Sequence, residues 1–410
     1  MSATQFGPGG GLDLATPRAE SRGLAGILSG PWLPGLAARA GAALGSLLGR
    51  PVRAFGTVVA ARHADVLELL ARDLDFRIGP VNEAKIDAVN GGPFVLGMDR
   101  GERLCREREA LYRALAKVDM GPLRDAVAAE AESRLFAAAG SIDVVNGYAR
   151  PIAAMTAQRL FGIGRGIEPA LFMDAARAIF AHTFLNLSND PAVEARALAA
   201  GGLMRGWFKD ELDRRRASGQ FGTDFMGALM HDKGLDDDAV RRTLGGMLVG
   251  SIDTTASSVA KIVATIAADR ALGAQVVADL DNLERMGGWC AEALRRWPHN
   301  PIVLRRAAVD TVFNDIEVKK GDLMVAWTQA AMLDATVFPE PALLRPDRPR
   351  ELYLHFGGGL HPCAGRAVNA FQIPLLVAAL VRRGIANAGA FAWAGPFPDR
   401  FDVRFERAAP

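Results

Sequence analysis

The 410-residue chain carries 48 Lys and Arg against 46 Asp and Glu, a formal charge of +2, which argues against nucleic-acid binding, where a concentrated basic excess is expected. Half of the residues are hydrophobic, 23% are charged, and the 44 glycines and 22 prolines follow no short period; disorder, collagen and coiled coil are disfavoured, and a large globular core is implied. Cys105, Cys290 and Cys363 lie far apart without C-x-x-C spacing, which speaks against a disulfide framework or a structural zinc site and for a reducing, cytoplasmic setting.

Residues 1–22, opening on MSATQFGPGGGL, are expected to form a flexible N-terminal segment, and residues 23–410 a single domain. The apolar stretch 24–49 is interrupted by Pro31, Pro34 and Arg39. It reads as an amphipathic segment packed on the body, with a membrane-surface anchor as the alternative, and no integral membrane span is required. Strand-like stretches are short and few: 52–60, 303–325, where Asp315-Ile316-Glu317-Val318 runs toward a turn at Gly321, and 400–405. Between residues 100 and 300 apolar residues recur at helical spacing, with breaks at Ser218-Gly219 and Lys233-Gly234. The fold class is therefore mainly α with small β-sheets.

The longest helical pattern starts after Asp236-Asp237-Asp238 and runs to about Asp269 without proline. A helix of that length spans about 45 Å and must cross the core. From Leu244 to Ala260 it carries one charge, Asp253, just after Gly250-Ser251-Ile252 and before Thr254-Thr255. The Gly/Ser pair weakens the helix there, and the hydroxyls can bond backward to loosened carbonyls. An acid beside an alcohol at a softened point of a buried helix is either partnered or used.

Near the C-terminus stands Phe356-Gly357-Gly358-Gly359-Leu360-His361-Pro362-Cys363-Ala364-Gly365. The glycines allow positive φ, and Cys363 sits where a loop enters a helix, so that backbone N–H groups and the helix N-terminus can stabilise a thiolate. Such a loop suits a soft ligand-binding sulfur.

This segment resembles the haem-binding loop of cytochromes P450, F-x-x-G-x-[RH]-x-C-x-G, at every fixed position. The resemblance implies the P450 fold, a triangular helical prism with haem b held between the long central helix and the helix that follows the cysteine loop. Cys363 would be the axial thiolate on iron, with Gly357 and Gly365 shaping the loop, Phe356 packing against the macrocycle and His361 meeting a propionate. A thiolate pushes electron density onto iron and favours O–O cleavage. Glu292-Ala293-Leu294-Arg295 is similar to the family's E-x-x-R, and Leu344-Arg345-Pro346-Asp347-Arg348 to its later F-x-P-x-R with Leu344 in place of Phe; Glu292, Arg295 and Arg348 would form a structural network.

Gly250 through Thr255 resembles the family's [AG]-G-x-[DE]-T-[TS], with Ser251 where Gly is usual; Asp253 and Thr254 would be the catalytic acid–alcohol pair that relays protons. Arg305 matches the family's propionate arginine, with Arg306 a one-residue alternative, and Arg103 stands where a second propionate ligand is common. Where the family's arginine is expected four residues later stands Glu107, and Arg106 and Arg108 are the alternatives beside it. Directional recognition of carboxylates favours Arg over Lys.

The implied activity is a soluble, bacterial-type monooxygenase that inserts one atom of O2 into an apolar or amphipathic small molecule. Its electrons are expected from a separate ferredoxin or flavodoxin with its reductase, since no G-x-G-x-x-G opens a βαβ unit. Arg106, Arg108, Arg113, Lys117 and Arg366 are candidates for a basic face toward that partner. Alternatives are a haem-thiolate peroxygenase, an isomerase or dehydratase, and a non-catalytic haem- or ligand-binding protein. The expected substrate pocket comprises Phe94, Val95, Leu96, Met247, Val249, Gly250, Ile302 and Val303, with Arg77, Asn82, Glu83 or Lys85 as possible polar contacts.

Overall fold

The computed structural model describes residues 32–186, 188–394 and 397–406; the segment 1–22, expected to be flexible, lies outside them. The helices are α1 (Trp32–Leu48), α2 (His63–Ala71), α3 (Gly79–Asn90), α4 (Glu102–Lys117), α5 (Gly121–Ala137), α6 (Arg150–Phe161), α7 (Pro169–Phe180), α8 (Pro191–Ser218), α9 (Phe225–Met230), α10 (Asp237–Val249), α11 (Asp253–Ala267), α12 (Arg270–Ala278), α13 (Leu283–Arg296), α14 (Thr328–Ala331) and α15 (Arg366–Arg382). Six-residue and five-residue π-turns, Val144–Ala149 and Ala181–Leu185, precede α6 and follow α7.

Helix boundaries follow the local chemistry. Asp190 Oδ1 accepts from Ala192 N at 2.8 Å to start α8, Asp236 Oδ1 from Ala239 N at 2.7 Å to start α10, and Asn282 Oδ1 from Arg285 N at 3.1 Å to start α13. Gly219, at φ 68, ends α8 where the Ser218-Gly219 break was expected. On α4 the buried positions Leu104, Glu107, Leu111 and Ala114 recur at helical spacing and turn inward.

The strands are β1 (Val52–Ala54), β2 (Thr57–Ala60), β3 (Phe76–Arg77), β4 (Ser141–Asp143), β5 (Val303–Ala307), β6 (Thr311–Phe313), β7 (Ile316–Val318), β8 (Leu323–Ala326), β9 (Ile385–Ala388), β10 (Ala392–Ala394), β11 (Phe397–Arg400) and β12 (Asp402–Phe405). The largest sheet has the order β1-β2-β8-β5-β3, in which β2 and β8 run parallel with Val58 opposite Met324, and the other pairs are antiparallel. Strands β1, β2, β5 to β8 and β12 fall in the three expected stretches, whereas β3, β4, β9, β10 and most of β11 lie outside them, being two to four residues long and too short to show an alternating pattern; the turn after β7 closes at Gly321, φ 90.

The main core is helical: α13 and α11 pack on α15, α5 packs on α15, and α7 packs on α8. A second core, including Val58, Val66, Leu69, Phe76, Met324 and Phe338, lies under the five-stranded sheet. Helix α1 does pack on the body, but through its alanines: Ala38 and Ala42 are buried against Ala61, Ala330, Leu333 and Trp327. Its leucines Leu36, Leu44, Leu47 and Leu48 are exposed. Close approach selects the small residues, since a Cβ at Gly41 would meet the Trp327 ring at 2.4 Å. Among the described residues no helix is long and apolar enough to cross a membrane.

The expected single long helix is two helices. α10 ends at Val249, Gly250 and Ile252 leave helical continuity, and α11 begins at Asp253. Hydroxyls meet the carbonyls freed by the break: Ser251 Oγ donates to Leu248 O at 2.7 Å, Thr254 Oγ1 to Gly250 O, and Ser258 Oγ to Thr254 O at 2.8 Å. Thr255 Oγ1 lies 3.0 Å from Ser251 O and 3.2 Å from Asn369 Oδ1 of α15. The Gly-Ser pair does more than soften the helix because these side-chain bonds make the interruption affordable.

Candidate active site

The broken helix and the cysteine loop face a common cavity of about 940 Å³ whose wall is mainly apolar. Cys363, Phe356, Gly357, His361 and Gly365 line it from the loop, and Gly250, Ser251, Thr254 and Thr255 from the break. Gly357 and Gly359 stand at φ 68 and 66, and a Cβ on Gly359 would lie 1.9 Å from Leu70 O, so the loop can close against α2 only with glycine there. Cys363 N donates to Phe356 O at 2.9 Å, which draws the loop into a tight turn. Two groups on α4 tie the loop from outside: Arg108 Nε donates to Leu360 O at 3.1 Å and stacks over Tyr112, whose hydroxyl lies 3.4 Å from Pro362 O.

Burial pushes the Cys363 thiol up, and the backbone N–H groups of Gly365 and Arg366 pull it back toward the thiolate. That sulfur needs an electrophilic partner to ionise in such a setting. Arg305, 4% exposed, donates to Leu304 O at 2.8 Å and has no carboxylate within ion-pair distance among the described residues; burial pulls its pKa down to about 10, against the opposing fields of Asp99 and Asp73. His361 Nε2 is 2.8 Å from Met98 O, and burial lowers its pKa. A buried unpaired arginine beside a half-buried histidine, in a wall that also presents a thiol, fits a metallomacrocycle bearing carboxylates. Arg306 is exposed and donates to Gly321 O at 2.9 Å, so Arg305 and not its neighbour faces the cavity.

Arg103 does not face it. It is exposed on α4 and bonds Glu107 at 2.9 Å, while Glu107 is buried and receives Arg242 at 3.1 and 2.9 Å. The four-residue spacing puts Arg103 and Glu107 on one helix face, and the buried carboxylate claims the arginine. Arg106 points to a separate small surface pocket with Arg103, Glu107 and Arg242. Of the expected basic face, Arg113 pairs with Asp232 at 2.9 Å, while Arg106, Lys117 and Arg366 are exposed.

Thr254 and Asp253 part company. The Asp253 carboxylate, 4% exposed, lies 2.9 Å from Arg150 Nε and 2.7 Å from Arg177 Nη2, and Arg177 continues to Asp399 at 2.9 Å. Thr254 lines the cavity and Asp253 does not. Sequence reading missed both arginines, although a lone cation at 150 and at 177 within apolar helical stretches was the available hint.

Glu292 and Arg295 form a fully buried bidentate pair at 2.8 and 2.9 Å. Arg348 Nε stands 3.4 Å from Glu292 Oε2, and Arg345 N and the Tyr353 hydroxyl donate to the same carboxylate at 2.9 and 2.7 Å. Arg295 also bonds Met332 O and Leu343 O, each at 3.0 Å. The expected triad thus meets, with Tyr353 as a fourth member no motif announced. Of the expected pocket residues, Phe94, Leu96, Met247, Val249, Gly250, Ile302 and Val303 line the cavity, whereas Val95 is buried behind the wall. Asn82 and Lys85 line it, and Arg77 and Glu83 do not. His299 and His355, unforeseen, also line it; burial holds both imidazoles neutral, pulling their pKa values down to about 3.

A family model described as Cytochrome P450 matches residues 207–383. Cytochrome P450 109 of Bacillus spizizenii is 27% identical over 179 residues, 43% of each chain. Cyclooctat-9-en-7-ol 5-monooxygenase of Streptomyces melanosporofaciens is 28% identical over 42% of this chain and 44% of its own. The chain spans less than half the length of these curated relatives. The crystal structure of CalO2 superposes with a TM-score of 0.79 at 21% identity, covering 93% of this chain and 99% of that one.

Proposed function

From the premise that the chain belongs to the cytochrome P450 superfamily, whose members hold haem, we propose that it is a haem-thiolate monooxygenase acting on an apolar or amphipathic small molecule. One observation carries the reading: a single cysteine sulfur, Cys363, opens into a large apolar cavity whose facing wall is a helix interrupted beside Thr254. Cys363 would hold the iron, Arg305 and His361 the propionates, and Phe356 one face of the macrocycle. When bound, haem supplies dioxygen activation and oxygen insertion.

The chain's own residues do the rest. The apolar wall of Phe94, Leu96, Met247 and Ile302 excludes water and holds substrate by its hydrocarbon surface. The Thr254 hydroxyl, which donates to Gly250 O at the break, has its lone pairs left to accept a hydrogen bond from a cavity water and hold that water for proton transfer, and Ser251 and Thr255 beside it extend the row of hydroxyls. Asp253 acts through its arginine clamp, holding the start of α11 in register, and is a positioning residue. Electrons would come from a ferredoxin or flavodoxin meeting the exposed Arg106, Lys117 and Arg366.

The withdrawal of Asp253 from the cavity favours one second reading, peroxide-driven chemistry, which needs no proton delivery for reduction. Two measurements test the proposal. The reduced protein under carbon monoxide should give the far red-shifted Soret band, lost in Cys363→Ser. Turnover with a surrogate ferredoxin and labelled dioxygen should place one labelled atom in the product. A histidine-like band sinks the thiolate assignment, and product formed with peroxide alone but never with reductant sinks the monooxygenase.

A further inference from the structure

We propose that the substrate is an apolar molecule bearing one carboxylate, held by Lys85 together with Asn82 and Thr183; this rests on reading the cavity as the substrate site.

Among the described residues no Asp or Glu lines the cavity. Its wall holds two permanently charged side chains, Arg305 and Lys85. Arg305 stands with His361, Asp73 and Asp99, whose fields act on one another, and belongs to the cysteine-loop side. Lys85 is elsewhere: its field falls on His182, on the π-turn after α7. The Lys85 ammonium donates to Asn186 O at 2.6 Å, and no carboxylate lies within ion-pair distance of it among the described residues. An ammonium has three donors, so two remain for a ligand.

Two further donors converge on the same quarter. Asn82 precedes Lys85 by three residues on α3, which puts both on one helix face, and both line the cavity. Thr183 lines it from the π-turn that Asn186 caps; the residue is 4% exposed and its Oγ1 has no hydrogen-bond partner. π-turns recur where a helix re-aims side chains at a functional site. Around them the wall is Val81, Ile86, Phe180, Phe184 and Leu185.

An ammonium with two donors to spare, an amide and an orphaned hydroxyl, set together in an apolar wall, offer more donors than the wall has acceptors. A carboxylate satisfies them by charge-assisted hydrogen bonds, whereas a neutral apolar ligand would strip water from Lys85 and give nothing back. The site therefore discriminates against the uncharged isostere more strongly than any apolar contact could.

The test uses the full-length haem-loaded protein and calorimetric titration with two matched pairs, dodecanoic acid against methyl dodecanoate and 1-adamantanecarboxylic acid against its methyl ester. The ester is the more hydrophobic member of each pair, so a preference for the acid can come only from the charge. The acid is expected to bind at least about tenfold tighter in at least one pair, a contrast worth one charge-assisted contact. Lys85→Met should abolish that preference by weakening the acid alone, Lys85→Arg should retain it, and Thr183→Val should reduce it. An ester that binds as well as its acid, a preference that survives Lys85→Met, or acids that fail to bind overturns the proposal. The carbon monoxide spectrum of the same preparations reads the thiolate separately: a normal band without acid preference sinks only the carboxylate inference, and acid preference without the band sinks only the haem-thiolate reading.

Discussion

Thr254 faces the cavity while the carboxylate of its neighbour Asp253 is turned into a clamp between Arg150, at 2.9 Å, and Arg177, at 2.7 Å. The two residues are consecutive at the start of α11, so a helical step of 100° sends one side chain to the ligand and the other to the protein. Asp253→Asn removes the charge that both buried arginines share, and is expected to cost about 3–5 kcal/mol of stability. Thr254→Ala should leave stability nearly unchanged and should divert reducing equivalents to peroxide. Guanidinium unfolding and the ratio of peroxide to consumed reductant separate the two; equal peroxide yields in wild type and Thr254→Ala would count against proton relay by the hydroxyl.

The Arg305 and Arg103 assignments predict opposite outcomes. Arg305→Leu removes a buried cation with no protein counter-ion, so the protein itself should unfold no more easily, while haem content after purification should fall. Arg103→Ala removes the exposed partner of buried Glu107, which keeps its bidentate bonds to Arg242, so it should cost at most about 0.5 kcal/mol and leave haem content intact. Loss of haem in Arg103→Ala would restore it to the cofactor site.

Glu292→Gln strips the charge that Arg295, Arg348 and Tyr353 surround. The expected cost is about 3–5 kcal/mol, because Arg295 is left buried and fully inaccessible without a counter-charge. The variant should purify with lowered haem content and a lowered unfolding midpoint. Tyr353→Phe removes one hydrogen bond and should cost about 1–2 kcal/mol; the two midpoints measured side by side check the hierarchy.

Lys261 on α11 supplies a pH dependence. Its ammonium is buried, donates to Pro298 O at 2.9 Å and stands 5.3 Å over the Trp297 ring, and burial pulls its pKa from 10.5 to about 7. Between those values the unfolded chain binds the proton that the folded chain has released, so stability rises with pH through the window from about 7 to 10.5, by up to about 1.4 kcal/mol per pH step. Below pH 7 the penalty is constant. Lys261→Met should flatten the rise in melting temperature over that window and raise stability at pH 7. His299, whose pKa burial takes to about 3, acts in the separate range between about 3 and 6.5.

Gly359→Ala places a methyl group 1.9 Å from Leu70 O at a φ of 66. The backbone must move, at a cost of at least about 1–2 kcal/mol, and the cysteine loop with it. A lowered haem content alongside near-native far-ultraviolet dichroism is expected; full haem loading would show that the loop tolerates a side chain there.

Much of this architecture is local and so was legible in the chain. The acidic helix start at Asp236, the turn at Gly321, the backward hydrogen bonds of Ser251 and Thr254, and the glycines around Cys363 depend on neighbours within a few residues, where residue type fixes the available φ and the nearest donors. Pairings across the fold were not legible. Glu107 takes Arg242 from 135 residues away, Asp253 takes Arg177 from 76, and Tyr353 reaches Glu292 from 61. A buried charge chooses its partner by which cation the packing brings within about 3 Å, a distance that sequence spacing does not encode. The same reason separates Arg305 from Arg306, and Lys85 from Arg77 and Glu83: residue type offered each as a ligand, and only the tertiary packing decided which side chains face the cavity and which face water.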